Sequence, residues 1–180
     1  MRKLSLFVFV LTVTLAFAQQ DKSKRPSPPA TAELSLGGKR IVVNYSRPKI
    51  ADPKTGKPRK IFGGLVPYGQ VWRTGANEAT SLTTDTALDI GGTTVPAGSY
   101  TLFTLPGEKE WQLIVNKQTG QWGTEYNQGQ DLARIPMQTV MSSKAVDPFT
   151  ISFDKKNDSE AVMHVAWDNT DASVPVKLKK

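Results

Sequence analysis

The chain has 180 residues, 23 Lys+Arg against 16 Asp+Glu, a formal net charge of +7 and no cysteine. Without cysteine, a disulfide scaffold, a thiolate metal centre and a Cys-based redox site are all excluded. A single histidine, His164, does not supply the ligand cluster of a zinc site, and neither a metal nor a cofactor is expected.

The first residues set the compartment. Arg2 and Lys3 precede an uncharged run rich in Leu, Val and Phe from Leu4 to Phe17, and Ala16-Phe17-Ala18 fits a small-x-small cleavage site. The run is shorter than the roughly 20 residues that cross a bilayer. Residues 1–18 therefore read as a signal peptide cleaved near Ala18, and the mature protein as exported, periplasmic or extracellular and soluble. No later stretch is long and apolar enough for a membrane span. Residues 19–32 are polar with several prolines and read as a disordered tether, leaving 33–180 as a single β-sandwich domain.

Within that domain the strand signals recur at short spacing. Leu34 and Leu36, the Gly37-Gly38 turn and Ile41 to Ser46 predict a hairpin, closed by Arg47-Pro48 because proline brings no N–H to a ladder. From Lys39 to Lys60 the chain is strongly basic, with Asp52 the one acid. Asp52-Pro53-Lys54-Thr55-Gly56 is a turn sequence in what reads as a solvated loop. Thr80–Thr84 predicts a short strand. Ala87–Ile90 and Thr93–Val95 flank Gly91-Gly92, and Ser99–Leu105 follows another turn. Trp111, Leu113 and Val115 alternate with polar residues. Ile135 to Met141 and Phe149 to Phe153 read as further strands, Ala161 to Trp167 as the clearest of all, and Val174 to Leu178 as the last. No stretch holds a helical period over ten or more residues. The fold class expected is all-β, an antiparallel β-sandwich or jelly-roll-like domain with little or no helix.

Three long segments carry a family likeness. Tyr45-Ser46-Arg47-Pro48, Arg59 to Gly69 followed by Val71 to Thr80, and Pro96-Ala97-Gly98-Ser99-Tyr100-Thr101-Leu102-Phe103, together with the Trp111 strand and Gln121-Trp122-Gly123, resemble domain-of-unknown-function family 2911. The resemblance runs from about Leu34 to Leu178. It implies a β-rich exported bacterial protein and implies no reaction. The Asp52–Pro58 segment departs from the family pattern as a longer basic turn.

Catalytic constellations are sparse. His164 sits mid-strand opposite Met163, Val165 and Trp167, and no Gly-x-Ser-x-Gly marks a nucleophile. Phosphate-loop glycine spacings are absent, and the basic run carries one aromatic, Tyr45, too few for stacking on single strands. Nucleic acid is not an expected partner. What remains is the stretch from Gly63 to Ala79. Tyr68 and Trp72 offer aromatic surface, Arg73 a planar fork for an anion, and Asn77 and Glu78 an amide and a carboxylate. Alternatively, Arg73 and Glu78 pair with one another and pin a crossover between sheets.

The function expected is a non-catalytic binding or envelope-associated module for a small anionic or saccharide ligand, with Tyr68, Trp72, Arg73, Asn77 and Glu78 as the candidate site and the Lys39–Lys60 segment facing an anionic envelope polymer. The alternatives are a hydrolase using Glu78 with a second carboxylate, Glu125 or Asp131 being the candidates, and a structural module for protein partners.

Overall fold

A computed structural model describes residues 21–179; the signal-peptide reading lies outside them. Among the described residues there are nine strands: β1 (Pro29–Leu36), β2 (Lys39–Ser46), β3 (Ser81–Thr84), β4 (Leu88–Ile90), β5 (Thr93–Val95), β6 (Gly98–Leu105), β7 (Trp111–Asn116), β8 (Asp131–Lys155) and β9 (Glu160–Leu178). Helix is limited to two single 3-10 turns at Lys22–Lys24 and Gln128–Gln130. The fold is all-β, as the short alternating runs imply.

Every neighbouring pair is antiparallel, in the order β1-β2-β3-β6-β7-β8-β9-β4-β5. The sheet doubles back through β8. Its first part, to Met137, pairs with β7, and its remainder from Gln138 pairs with β9. Two register shifts in the second part, between Met141 and Thr150, are the kind of irregularity that bends a strand and turns it into another layer. The predicted strands at 135–141 and 149–153 are thus one strand, as are those at 161–167 and 174–178. Alternation alone did not join them, because the interruptions at Met141–Val146 and at Asp168 (φ 52°) break the period of two without ending the strand.

The core lies between the two layers. Leu34, Ile41, Val43, Leu102 and Leu113 of one layer and Ile151, Met163, Val165 and Trp167 of the other belong to one buried cluster. Tyr45 spans the gap, its ring edge-on to Phe149 at 5.7 Å and its hydroxyl donating to the Ile151 carbonyl at 3.2 Å. At one end the cluster becomes aromatic: Phe62, Trp72, Trp111, Phe149 and Trp167 meet at centroid distances of 4.7–6.5 Å. Each such ring removes on the order of 150–250 Å² from water, so this end is held as firmly as the aliphatic middle.

Two sequence readings change here. Residues 19–32 read as a disordered tether, yet Pro29–Ala32 open β1, and the residues from Asp21 to Pro28 run along the domain surface. Proline is tolerated there because β1 is the edge of the sheet and Pro29 its first residue, where no inward N–H is required. Second, the segment read as a solvated loop around Asp52–Gly56 is tied down at its base, where Ala51 bridges Pro58 and Ile50 packs against the core. It belongs to the longer β2–β3 connection from Arg47 to Thr80. The end of that connection follows the line of β3 alongside β6: Trp72 N donates to Thr104 O at 2.8 Å, Thr104 N to Trp72 O at 3.0 Å, and Leu102 N to Thr80 O at 2.8 Å.

Candidate functional site

The crossover shapes a cleft of about 660 Å³, within the size range of small-molecule sites. Its wall is built from three distant pieces of chain: Lys24, Pro26 and Ser27 from the N-terminal segment; residues between Pro48 and Ala76 from the crossover; and Gly123, Thr124 and Tyr126 from the loop after β7. Phe103 of β6 and Trp167 of β9 complete it.

Trp72 and Arg73 of the predicted site line this cleft, and Tyr68, Asn77 and Glu78 do not. Trp72 stacks on Trp167 (5.8 Å, 15°) and belongs chiefly to the aromatic core. Tyr68 folds back over Gly63, where an added Cβ would lie 2.7 Å from its ring. Asn77, at φ 61°, gives its side-chain amide to the Ser27 carbonyl at 2.9 Å.

The Arg73–Glu78 pair does not form. Glu78 instead receives two bonds from Arg25 Nη1, at 2.9 and 3.0 Å, and an ion pair from Lys22 Nζ at 2.9 Å. Lys22 first and Arg25 second hold its carboxyl down at a pKa of about 2, below the usual 4.5. Adjacent spacing suggested the wrong cation, because Thr74 to Asn77 turn the chain between the two residues. Thr74 and Asn77 both take positive φ (49° and 61°), with Gly75 at 148°. For a fully buried threonine such a conformation costs roughly 1–3 kcal/mol. It is held by Thr80 Oγ1 donating to the Thr74 carbonyl at 2.8 Å and by the Thr74–Thr104 hydroxyl contact at 3.1 Å.

Arg73 is consequently left without a hydrogen-bond or ion-pair partner among the described residues. Its stem passes Gly123, where a Cβ would meet Arg73 Cδ and the Asn77 carbonyl each at 2.8 Å. Gly123 N donates to that same carbonyl at 2.9 Å, so a side chain at position 123 would occupy the space Arg73 uses. Half-burial pulls the guanidinium pKa below its ordinary value through lost hydration, though guanidinium stays protonated at neutral pH. A half-buried cation without a counter-charge is unfavourable on its own.

Sequence reasoning missed the other charges at the cleft. Lys49 and Arg59 of the basic run stand on its wall with Lys24. Arg59 also braces the loop, donating to the carbonyls of Ile50 (3.2 Å) and Lys49 (2.6 Å). Arg47 ties back to the Phe149 carbonyl at 3.0 Å and Thr150 Oγ1 at 2.8 Å. The density of positive charge was the available signal; which residues face inward was not legible. Asp52 is the one carboxylate on the wall, and its Oδ1 already accepts the amides of Lys54 and Thr55, each at 2.9 Å. Neither Glu78 nor either candidate second acid, Glu125 or Asp131, lies on the cleft wall. Asp131 is taken up by Tyr126 Oη (2.6 Å), Arg134 Nε (3.0 Å) and Asn116 Nδ2 (2.8 Å). His164 lies on the far face of β9 against Asp171 at 2.9 Å.

The family model described as protein of unknown function (DUF2911) matches residues 27–176. No curated protein and no solved structure matches the chain.

Proposed function

The chain belongs to the DUF2911 family of proteins of unknown function, and from its own cleft we propose that it is an exported, non-catalytic binding module for a small anionic or saccharide ligand. The observation that carries the reading is Arg73: a half-buried guanidinium without a partner among the described residues, on the wall of a cleft where four cations face one carboxylate. An anion entering the cleft would restore the counter-charge that Glu78, committed to Lys22 and Arg25, does not provide. The same commitment argues against the hydrolase alternative, since a carboxylate so strongly held in its ionised form is poorly suited to deliver a proton. No helix among the described residues is long and apolar enough to cross a membrane, which is compatible with release after leader cleavage. Lys54, Lys57 and Lys60, exposed on the loop beside the cleft, and Lys39, exposed at the β1–β2 turn, would meet an anionic envelope polymer.

Thermal shift against carboxylates, phosphate, uronic acids and neutral sugars tests the reading. A ligand present at a hundred times its Kd should raise Tm by about 5–10 °C for a domain of this size, and Arg73→Met should cut the rise by about half or more while retaining the fold. The reading fails if no compound shifts Tm, or if the shift is the same in Arg73→Met.

A further inference from the structure

Taking the cleft as a ligand site, as proposed above, we infer that its ligand is an organic carboxylate with an apolar body rather than a saccharide. Three observations on the wall point the same way.

The first is the balance of donors and acceptors. Sugars present hydroxyls that both donate and accept, so they call for carboxylate or amide acceptors beside the donors. Arg73, Arg59, Lys49 and Lys24 are donors only. Beside these four cations the side-chain acceptors are Asp52, whose Oδ1 is already engaged by its own turn, the Gln70 amide and the Ser27 and Thr124 hydroxyls, so donors of positive charge outweigh them. The Tyr126 hydroxyl donates to Asp131 and accepts from Arg134 at 2.7 Å.

The second is the state of the aromatic rings. A sugar-binding site usually offers an open ring face. Trp72 instead stacks on Trp167, with Phe62, Trp111 and Phe149 set edgewise around it, and Trp167 is 1% exposed. Tyr68, the freer aromatic, is not on the wall.

The third is what fills the rest of the wall. Leu65, Pro53 and Pro67, exposed, and Val71, half-buried, provide apolar surface with no hydrogen-bonding side chain. Leu65 is 48% exposed despite being a large aliphatic residue. A planar guanidinium matches a carboxylate through two parallel hydrogen bonds, and the apolar wall then covers the part of the molecule behind that head group. A sugar acid would satisfy Arg73 but would strand its hydroxyls against this surface, at a desolvation cost.

Isothermal titration of the protein with hexanoate, octanoate, 3-phenylpropionate, octanol, glucuronate and glucose separates the outcomes. Octanoate and 3-phenylpropionate should bind, and affinity should rise roughly fourfold for each methylene added between hexanoate and octanoate. Glucuronate keeps the carboxylate and should bind more weakly than octanoate because its hydroxyls are stranded against the apolar surface. Octanol and glucose, which lack the carboxylate, should bind at least about tenfold more weakly, since a charge-assisted pair is worth roughly that factor or more. Arg73→Met should cost the same factor. Leu65→Asp, at an exposed position that leaves the core untouched, should weaken octanoate comparably even if the Arg73 variant does not fold. Tighter binding of glucuronate or glucose than of octanoate overturns the apolar carboxylate while leaving the broader anion-or-saccharide reading standing. Octanol equal to octanoate overturns the role given to the charge. No binding by any of these compounds, nor by inorganic phosphate, overturns both readings together.

Discussion

A methyl group at Gly123 would sit 2.8 Å from both Arg73 Cδ and the Asn77 carbonyl, and this crowding ties a motif glycine to the candidate site. Gly123 does not need a left-handed backbone; it needs the absence of a side chain. Gly123→Ala should therefore destabilise the protein by about 1–3 kcal/mol, the cost of overpacking a close contact, and should displace the arginine at the same time. Chemical denaturation measures the first effect, and loss of an Arg73-dependent ligand shift the second. An alanine variant as stable as the parent would show that the neighbouring loop yields without strain. The sequence singled out Arg73 for its chemistry, but its isolation from Glu78 was hidden. That depends on Thr74 and Asn77 taking positive φ, a conformation that threonine composition gives no reason to expect.

Elements, more than single residues, carry the largest surprise. The segment from Lys22 to Pro28 behaves as a strap. Lys22 and Arg25 clasp Glu78, Ser27 receives Asn77, Arg47 N donates to the Pro28 carbonyl at 2.9 Å, and Lys24, Pro26 and Ser27 form part of the cleft wall. Composition pointed to a tether because prolines and lysines are common in disordered tails. It is silent on a carboxylate 53 positions away. Because the folded-state pKa of Glu78 is depressed, its contribution to stability is complete above the unfolded value near 4.5 and is lost as pH falls toward about 2. The carboxylate is 41% exposed, so solvent screens the pairs and the contribution is about 1 kcal/mol or less. In thermal melts from pH 7 to 2.5, wild type should exceed Glu78→Gln by a small margin at neutral pH, and the two should converge between pH 4.5 and the acid end. Added salt should narrow the margin as well. A difference that persists unchanged at pH 2.5 would show that the clasp is not electrostatic.

Across the whole molecule, the all-β architecture and most strand positions were legible because alternation, glycine turns and proline stops act locally. What was not legible was continuity. β8 and β9 look like pairs of strands in the sequence because bulges interrupt their period, and only pairing with neighbours reveals each as one element. The aromatic end of the core is the keystone of both layers, since Trp111 comes from β7, Trp167 from β9, and Phe62 and Trp72 from the crossover. Trp167→Ala should cost about 3–5 kcal/mol, the usual range for deleting a large buried aromatic, and should loosen the crossover with it. Urea denaturation checks the magnitude. In the intact protein acrylamide should quench chiefly Trp122, which is 44% exposed, whereas Trp111 and Trp167 are at most 2% exposed. A loss under 1 kcal/mol in Trp167→Ala would mean that the two layers hold together by their aliphatic middle alone.

The passage of β8 through both layers has a mechanical consequence. Proteins that swallow ligands between two lobes rely on a hinge about which the lobes part. Here the layers share one backbone ladder, so prising them apart would mean tearing hydrogen bonds along β8. Traffic into the cleft is left to the pieces laid over the ladder, the strap and the crossover. Access to this protein is then governed by a latch and not by jaws.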